Sequence, residues 1–340
     1  MKKALIIGAA GFVGGYLIDH ILSTGIWSVS VTKMPNENIN RKNITVYNLD
    51  LLDTGAVKKL LQELRPDYIF HLAAQSSVAL SWKKPDLTVD VNIKGTLHLL
   101  DALKELKNES ANGADSTAAA GSVLYSPRVL LIGSGEEYGH VKPEEVPITE
   151  ETLARPGNLY AATKASQNMI GKIYAKAFGL DIMSTRSFNH TGPTQSPTFV
   201  VADFCRQAAM IERQAAAADA SEQRDYCIYT GNLSARRDFT DVRDVVRAYC
   251  MLIEKGSAGE TYNVGTGHAL KIQEILELIL SMAKVKIRSE VDPAKLRPVD
   301  VPVIEPDISK LQKATGWKPE IPFRRTVEET LDYWRQKEDL

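Results

Sequence analysis

Cysteine is scarce in this chain of 340 residues: Cys205, Cys227 and Cys250 are the full set, scattered through the second half. Three thiols so spaced exclude a disulfide framework or a cysteine metal cluster, and no metal site is expected. An excess of one charge is also missing. Lys and Arg number 41 against 42 Asp and Glu, a formal net charge of −1, so neither a nucleic-acid nor a membrane partner is advertised. No apolar run approaches bilayer-spanning length, and the chain reaches a glycine loop by Gly8 with no leader-type cleavage pattern. The expectation is a cytoplasmic protein. Aromatics make up only 7%, yet 44% of residues are hydrophobic, enough at this length for one large α/β unit or two intimate domains.

What is present begins with an apolar run over residues 4–7, which ends at Gly8 and reads as a buried parallel strand. Gly8, Gly11 and Gly14 follow as G-x-x-G-x-x-G around Phe12 and Val13, and then Tyr16, Leu17, Ile18, Ile21 and Leu22 recur at helical spacing. Glycines between a first strand and a first helix let the backbone turn sharply and approach a pyrophosphate, whose charge meets the free N–H groups of the helix start. The spacing departs from G-x-G-x-x-G, so the strand, loop and helix context carries the dinucleotide reading. A second strand over about residues 28–32 ends at Thr32 and Lys33, where an Asp or Glu would grip the ribose of NAD. A hydroxyl and a cation suit a 2′-phosphate better, which makes NADP(H) the preferred cofactor and NAD(H) the alternative, with Lys33 otherwise an idle surface charge.

Further residues fall along the same sheet. Asp50, after a strand at 44–48, reads either as a contact to the adenine edge, with Leu51 beside it, or as part of a helix cap. The strand at 68–72 runs into His71, Leu72, Ala73, Ala74 and Gln75, a segment small and flat enough to lie beside a cofactor. His71 itself reads as a packed or hydrogen-bonded strand residue. A helix over about 86–107 carries Asn92, placed to anchor the site from behind, and its apolar residues on more than one face suggest burial against another subunit. Residues 108–127 and 214–222, rich in small residues, read as peripheral insertions.

The stretch on which the chemistry centres is Asn158 to Lys164. On a helix, Tyr160 and Lys164 project from one face about one turn apart. A phenol titrates near pH ~10, and a nearby ammonium is the means of lowering it toward neutrality. A Tyr so poised can protonate a carbonyl as hydride arrives. The turn after a fifth strand at 129–132 holds Ser134, Glu136 and Glu137, at the sheet edge where ligands bind. Ser134 there can hydrogen-bond the oxygen that Tyr160 protonates; Glu136 points to the same pocket if the turn stays extended, and otherwise both glutamates are solvated loop charge.

The glycine loop, His71-Leu-Ala-Ala, Ser134 and Tyr160-x-x-x-Lys164, in this order, resemble the extended short-chain dehydrogenase/reductase family over essentially the whole chain. The resemblance implies a doubly wound parallel sheet with a smaller C-terminal α/β lobe for a nucleotide sugar, and a homodimer. It gives Ser134 and Tyr160 the reacting oxygen, and Lys164 the nicotinamide ribose and the tuning of the phenol. The implied division is residues 1–186, with 236–258 returning, for the cofactor, and 187–235 with 259–340 for the sugar nucleotide. Asn189-His190-Thr-Gly-Pro, Arg237 and Arg297 resemble the GDP-mannose branch, and most closely its reductases of GDP-linked 6-deoxy-4-keto sugars. Asn189, Arg237 and Arg297 are then the substrate-binding candidates. Related 4,6-dehydratases carry a proton-abstracting Glu where Glu136 stands, which keeps that reaction as the alternative.

Overall fold

The computed structural model describes residues 1–113, 125–218, 224–295 and 301–337. Its main sheet is built on β1 (Lys2–Ile7), whose last four residues are buried, as a strand covered on both faces requires. Outward on one side lie β2 (Trp27–Lys33) and β3 (Thr45–Asn48). On the other lie β4 (Tyr68–His71), β5 (Arg128–Ser134), β6 (Ile182–Ser187) and, at the edge, β10 (Thr261–Val264). All seven run parallel, so helices must cross between them. The order in which successive strands are added reverses between β1 and β4, which is the position of a binding crevice in an open α/β sheet.

Helices cover both faces. On one side α1 (Phe12–Thr24) and α8 (Val242–Lys255) pack against Ile6, Val31 and Tyr262, together with Leu311 of α10 (Ser309–Thr315) and Trp317. On the other, α2 (Thr54–Leu64), α5 (Gly95–Gly113) and α6 (Leu159–Phe178) close over Leu5, Ile69 and Leu131. A second core joins α7 (Val200–Ala217), α9 (Ile272–Ser281) and α11 (Phe323–Gln336) around Phe204, Ile275 and Trp334. Two small sheets flank this lobe. One links β7 (Asn189–Thr191), β9 (Arg236–Asp241), β11 (Ala269–Lys271) and β13 (Val303–Ile304); the other pairs β8 (Cys227–Thr230) with β12 (Arg288–Val291).

Three expectations change. Residues 261–264 belong to the main sheet and not the second lobe: β10 pairs with β6 from Thr261–Ser184 to Val264–Ser187, and Tyr262 and Val264 fill the first core. Of 236–258, residues Arg236–Asp241 form strand β9 of the second lobe, and only α8 returns to the first. The helix at 86–107 is three pieces, α4 (Pro85–Val89), a π-helical turn (Asp90–Lys94) and α5, preceded by a short α3 (Val78–Lys83). Residues 108–113 continue α5, and the rest of that expected insertion up to residue 124 lies outside the described residues, as do 219–223.

Candidate functional site

The glycine loop is held where the sequence demands. Gly8 has φ +79°, and a Cβ there would lie 2.5 Å from the Ala73 Cα; at Gly14 it would lie 2.3 Å from the Ala9 carbonyl oxygen. Loop and following strand end therefore touch, with Leu72 and Ala73 both donating N–H to the Ile7 carbonyl. Helix α1 starts at Phe12 and Val13 after Gly11, an extended N-cap residue with no side-chain cap and open space around it. Its first N–H groups suit an anion, so the loop fits a dinucleotide pyrophosphate.

Thr32 departs from its expected role. It is 2% exposed, and its hydroxyl accepts the Gly8 N–H at 3.2 Å, so it braces the glycine loop from below. Lys33 donates to the carbonyls of Met34 and Pro35. The cation beside the glycine loop is Arg41, which sequence reasoning missed. Its guanidinium grips Asp19 of α1 at 2.7 and 3.1 Å, and it lines a cavity of about 590 Å³ together with Gly11, Phe12, Gly15 and Asn38. No spacing signal connects Arg41 to α1; the loop after β2 does so only in three dimensions. Asp50 is exposed and accepts the Leu52 N–H, while Leu51 is buried beneath Gly95.

Asn92 sits in the π-helical turn, fully buried. Its carbonyl accepts the Gln75 N–H at 2.8 Å, and its amide donates to the Gln75 carbonyl and to Thr163 Oγ1. It thereby ties the segment after Ala74 to α6, next to Lys164, and the extra residue of a π turn marks many functional sites. His71 is wholly buried beside Thr96, at 3.0 Å from Nε2. The Thr96 hydroxyl proton goes to the Asn92 carbonyl, so His71 Nε2 carries the donated proton.

Helix α6 begins at Asn158, whose side chain accepts the Ala161 N–H at 2.8 Å and donates to Glu136 Oε2 at 3.2 Å. The turn Gly135–Tyr138 is a 3-10 helix and not extended, yet it brings Glu136 to the N-cap of the helix that carries Tyr160. Ser134 Oγ accepts the Glu136 N–H at 3.2 Å and acts on the half-buried Tyr160 phenol. Burial pushes the Tyr160 phenol well above its ordinary range, an effect that Ser134 opposes and the charges of Glu136 and Glu137 add to. The expected lowering by Lys164 is not found: desolvation is the largest cause, and Ser134 is the group that opposes it. Lys164 is itself buried, which lowers it to about 8 against a partly opposing attraction from Glu137, and it donates to the Ile132 carbonyl at 2.7 Å and to Gln167 Oε1 at 3.0 Å.

Glu137 is not solvated loop charge. It is 0% exposed and meets Arg186 at 2.9 Å. Nothing in the sequence distinguishes it from Glu136, because the two differ only in which way the 3-10 turn points them. Among substrate candidates, Asn189 is exposed at the start of β7, followed by His190, whose ring lies parallel to Phe12 at 6.2 Å. Tyr16 of α1 donates to the Pro193 carbonyl, so this stretch abuts the start of α1. Arg237 on β9 donates to the carbonyls of Arg236 and Val301, and Arg297 lies outside the described residues.

A glycine loop on a doubly wound sheet, with Ser134, Tyr160 and Lys164 gathered at its C-terminal edge, defines an extended short-chain dehydrogenase/reductase. Within that class the chain belongs to the GDP-mannose 4,6-dehydratase family, whose model matches residues 5–330. It is 32% identical to a GDP-6-deoxy-D-mannose reductase of Pseudomonas aeruginosa over 99% of this chain and 98% of that one. It is 28% identical to a GDP-mannose 4,6-dehydratase of Yersinia enterocolitica, over 97% and 91%. The structure of RMD from Pseudomonas aeruginosa complexed with NADPH superposes with TM-score 0.80 at 31% identity, covering 98% of this chain and 99% of the other. A Thermus thermophilus UDP-glucose 4-epimerase complexed with NAD gives 0.80 at 28% identity, over 98% and 99%. Membership makes the chain an NAD(P)-dependent enzyme of the nucleotide-sugar dehydratase and reductase type. Among the described residues, no helix is long and apolar enough to cross a membrane.

Proposed function

We propose that this enzyme reduces the C4 keto group of GDP-4-dehydro-6-deoxy-D-mannose to give GDP-D-rhamnose, with NADPH as the preferred reductant. The observation that carries the reading is a half-buried Tyr160 at the start of α6, its phenol pushed up by desolvation against the effect of Ser134, one helical turn from a buried Lys164. Likeness to the Pseudomonas aeruginosa reductase supports it. The cofactor is held by Gly8, Gly11, Phe12, Val13 and Gly14 at its pyrophosphate and by Lys164 at the nicotinamide ribose; bound there, it supplies hydride. Tyr160 donates its proton to the carbonyl oxygen, Ser134 holds that oxygen in place, and Lys164 balances the charge left on the phenol. Asn189, Arg237 and Arg297 are assigned to the sugar nucleotide. Arg41, on the loop after β2, is assigned to the 2′-phosphate, with Lys33 at the end of that strand.

Glu136 favours a second reading, GDP-mannose 4,6-dehydratase, since its carboxylate is held by Asn158 close enough for its charge to act on Tyr160. The two reactions separate in one assay. Incubation with NADPH and the 4-keto sugar should consume cofactor in proportion to a GDP-6-deoxyhexose product. Absence of oxidation, with conversion of GDP-mannose alone to the keto sugar, would establish the dehydratase instead. We also infer a cytoplasmic homodimer, its contact on α5 and α6, where Met169 and Ile173 stand exposed one turn apart. Sedimentation of the Met169→Glu/Ile173→Glu variant should then give a monomer.

A further inference from the structure

The turn after β5 carries two consecutive glutamates, of which the first enters only the dehydratase reading and the second neither. The second occupies the centre of a polar cluster sealed inside the main sheet. Glu137 Oε1 accepts the Ser134 N–H at 3.0 Å. Oε2 accepts both the Asn168 amide at 3.1 Å and Arg186 Nε at 2.9 Å. The cluster spans three elements. Ser134 ends β5, Arg186 lies on β6, and Asn168 stands on α6 one turn beyond Lys164, with its own carbonyl accepting the Thr261 hydroxyl of β10 at 2.9 Å. The carboxylate sits directly against Gly133, where a Cβ would come within 2.4 Å of Glu137 Oε1.

We propose that Glu137 is a positioning residue for the catalytic set, its buried carboxylate clamping the Ser134 turn onto α6 and providing the negative charge that a buried Lys164 ammonium requires. This rests on the reading of Ser134, Tyr160 and Lys164 as that set. A lysine in a low-dielectric interior sheds its proton unless an opposing charge is fixed nearby. Lys164 donates its hydrogen bonds to neutral acceptors, the Ile132 carbonyl and Gln167 Oε1, and Glu137 is the charge that opposes its desolvation. His71 also feels the Lys164 charge, from β4. On the far side, Arg186 faces Glu137 and lies over the Tyr138 ring, its centre 4.5 Å away, while the Glu150 carboxylate acts on Tyr138. Arg186 therefore pairs with the Glu137 carboxylate, which in turn holds the Ser134 N–H and the Asn168 amide of α6.

The experiment is a titration of Lys164 in the full chain carrying 13C-labelled lysine. The Lys164 Cε signal, assigned by its loss in Lys164→Met, is followed with pH in the wild type and in Glu137→Gln, which keeps the shape and an acceptor for Ser134. The proposal expects the wild-type midpoint near 8 to fall in the variant, by about one pH unit, a tenfold change in proton affinity. If Glu137→Gln fails to fold because Arg186 is orphaned, Glu137→Gln/Arg186→Gln removes the unpaired guanidinium and is read in the same way. A lower melting temperature with an unmoved Lys164 midpoint would leave Glu137 a structural residue only and overturn the proposal. No sugar nucleotide enters this titration, so it can fail while the reductase assay succeeds, and the reverse.

Discussion

A phenol that desolvation pushes above its ordinary range keeps its proton and is an acid first, and that suits the reducing direction. Tyr160→Phe removes that proton without touching the glycine loop. Turnover should fall by on the order of a hundredfold or more in a steady-state assay, while NADPH affinity measured by fluorescence stays within about threefold. Arg41 gives a second expectation at this scale. Its guanidinium is fixed by Asp19 above the cavity beside Gly11 and Phe12. Arg41→Ala should weaken NADPH by about tenfold, roughly 1.4 kcal/mol, and leave NADH nearly unchanged, which paired titrations with the two cofactors would show. Tyr160 and Lys164 were legible because a spacing of four residues has one meaning on a helix. Thr32, Arg41 and Glu137 were not. The first was read as a hydroxyl for the 2′-phosphate when it accepts the Gly8 N–H, the second reaches α1 across a loop, and the third differs from its neighbour only in burial.

Elements set these residues in place through their ends and irregularities more than through their regular interiors. Helix α6 is aimed by Asn158, which caps it and holds Glu136 at once. The π-helical turn does the same from the opposite side. By adding a residue to the helical turn it points Asn92 inward, where three hydrogen bonds bind Gln75 and Thr163. Asn92→Ala leaves two backbone groups of Gln75 short of partners and should destabilise the fold by roughly 2–4 kcal/mol in denaturant titrations, with a loss of activity that exceeds the loss of folded protein. Periodicity could announce a helix across this region but not the break within it, because a π turn leaves the apolar spacing on either side intact. The edge strand β10 was similarly hidden. Four residues with a full burial pattern carry no mark of which sheet they join, and the pairing with β6 is decided by chain topology.

At the scale of the whole molecule the two lobes are joined at α8, where the Asp244 carboxylate accepts the N–H groups of Glu320 and Ile321 and its backbone carbonyl accepts Trp317 Nε1. The C-terminal segment is thereby fastened to the first core, and unfolding should draw in both lobes. A proton taken up anywhere in the interior then acts on the entire structure. His71 is the group for which this matters most. Burial, with a smaller contribution from the Lys164 charge, lowers it to about 3, and its Nδ1 has no partner among the described residues. In the unfolded chain the same imidazole titrates near ~6.5. Between these values the unfolded state binds a proton that the folded state refuses, so stability rises with pH across the window. The contribution is complete above pH ~6.5 and is lost progressively as pH falls toward 3. One proton corresponds to about 1.4 kcal/mol per pH unit, so acidifying from pH 6 to 4.5 should cost the wild type about 2 kcal/mol more than His71→Gln, whose amide keeps a donor for Thr96. Urea midpoints of both proteins at the two pH values measure this directly, and parallel losses in the two would place the acid sensitivity elsewhere in the molecule.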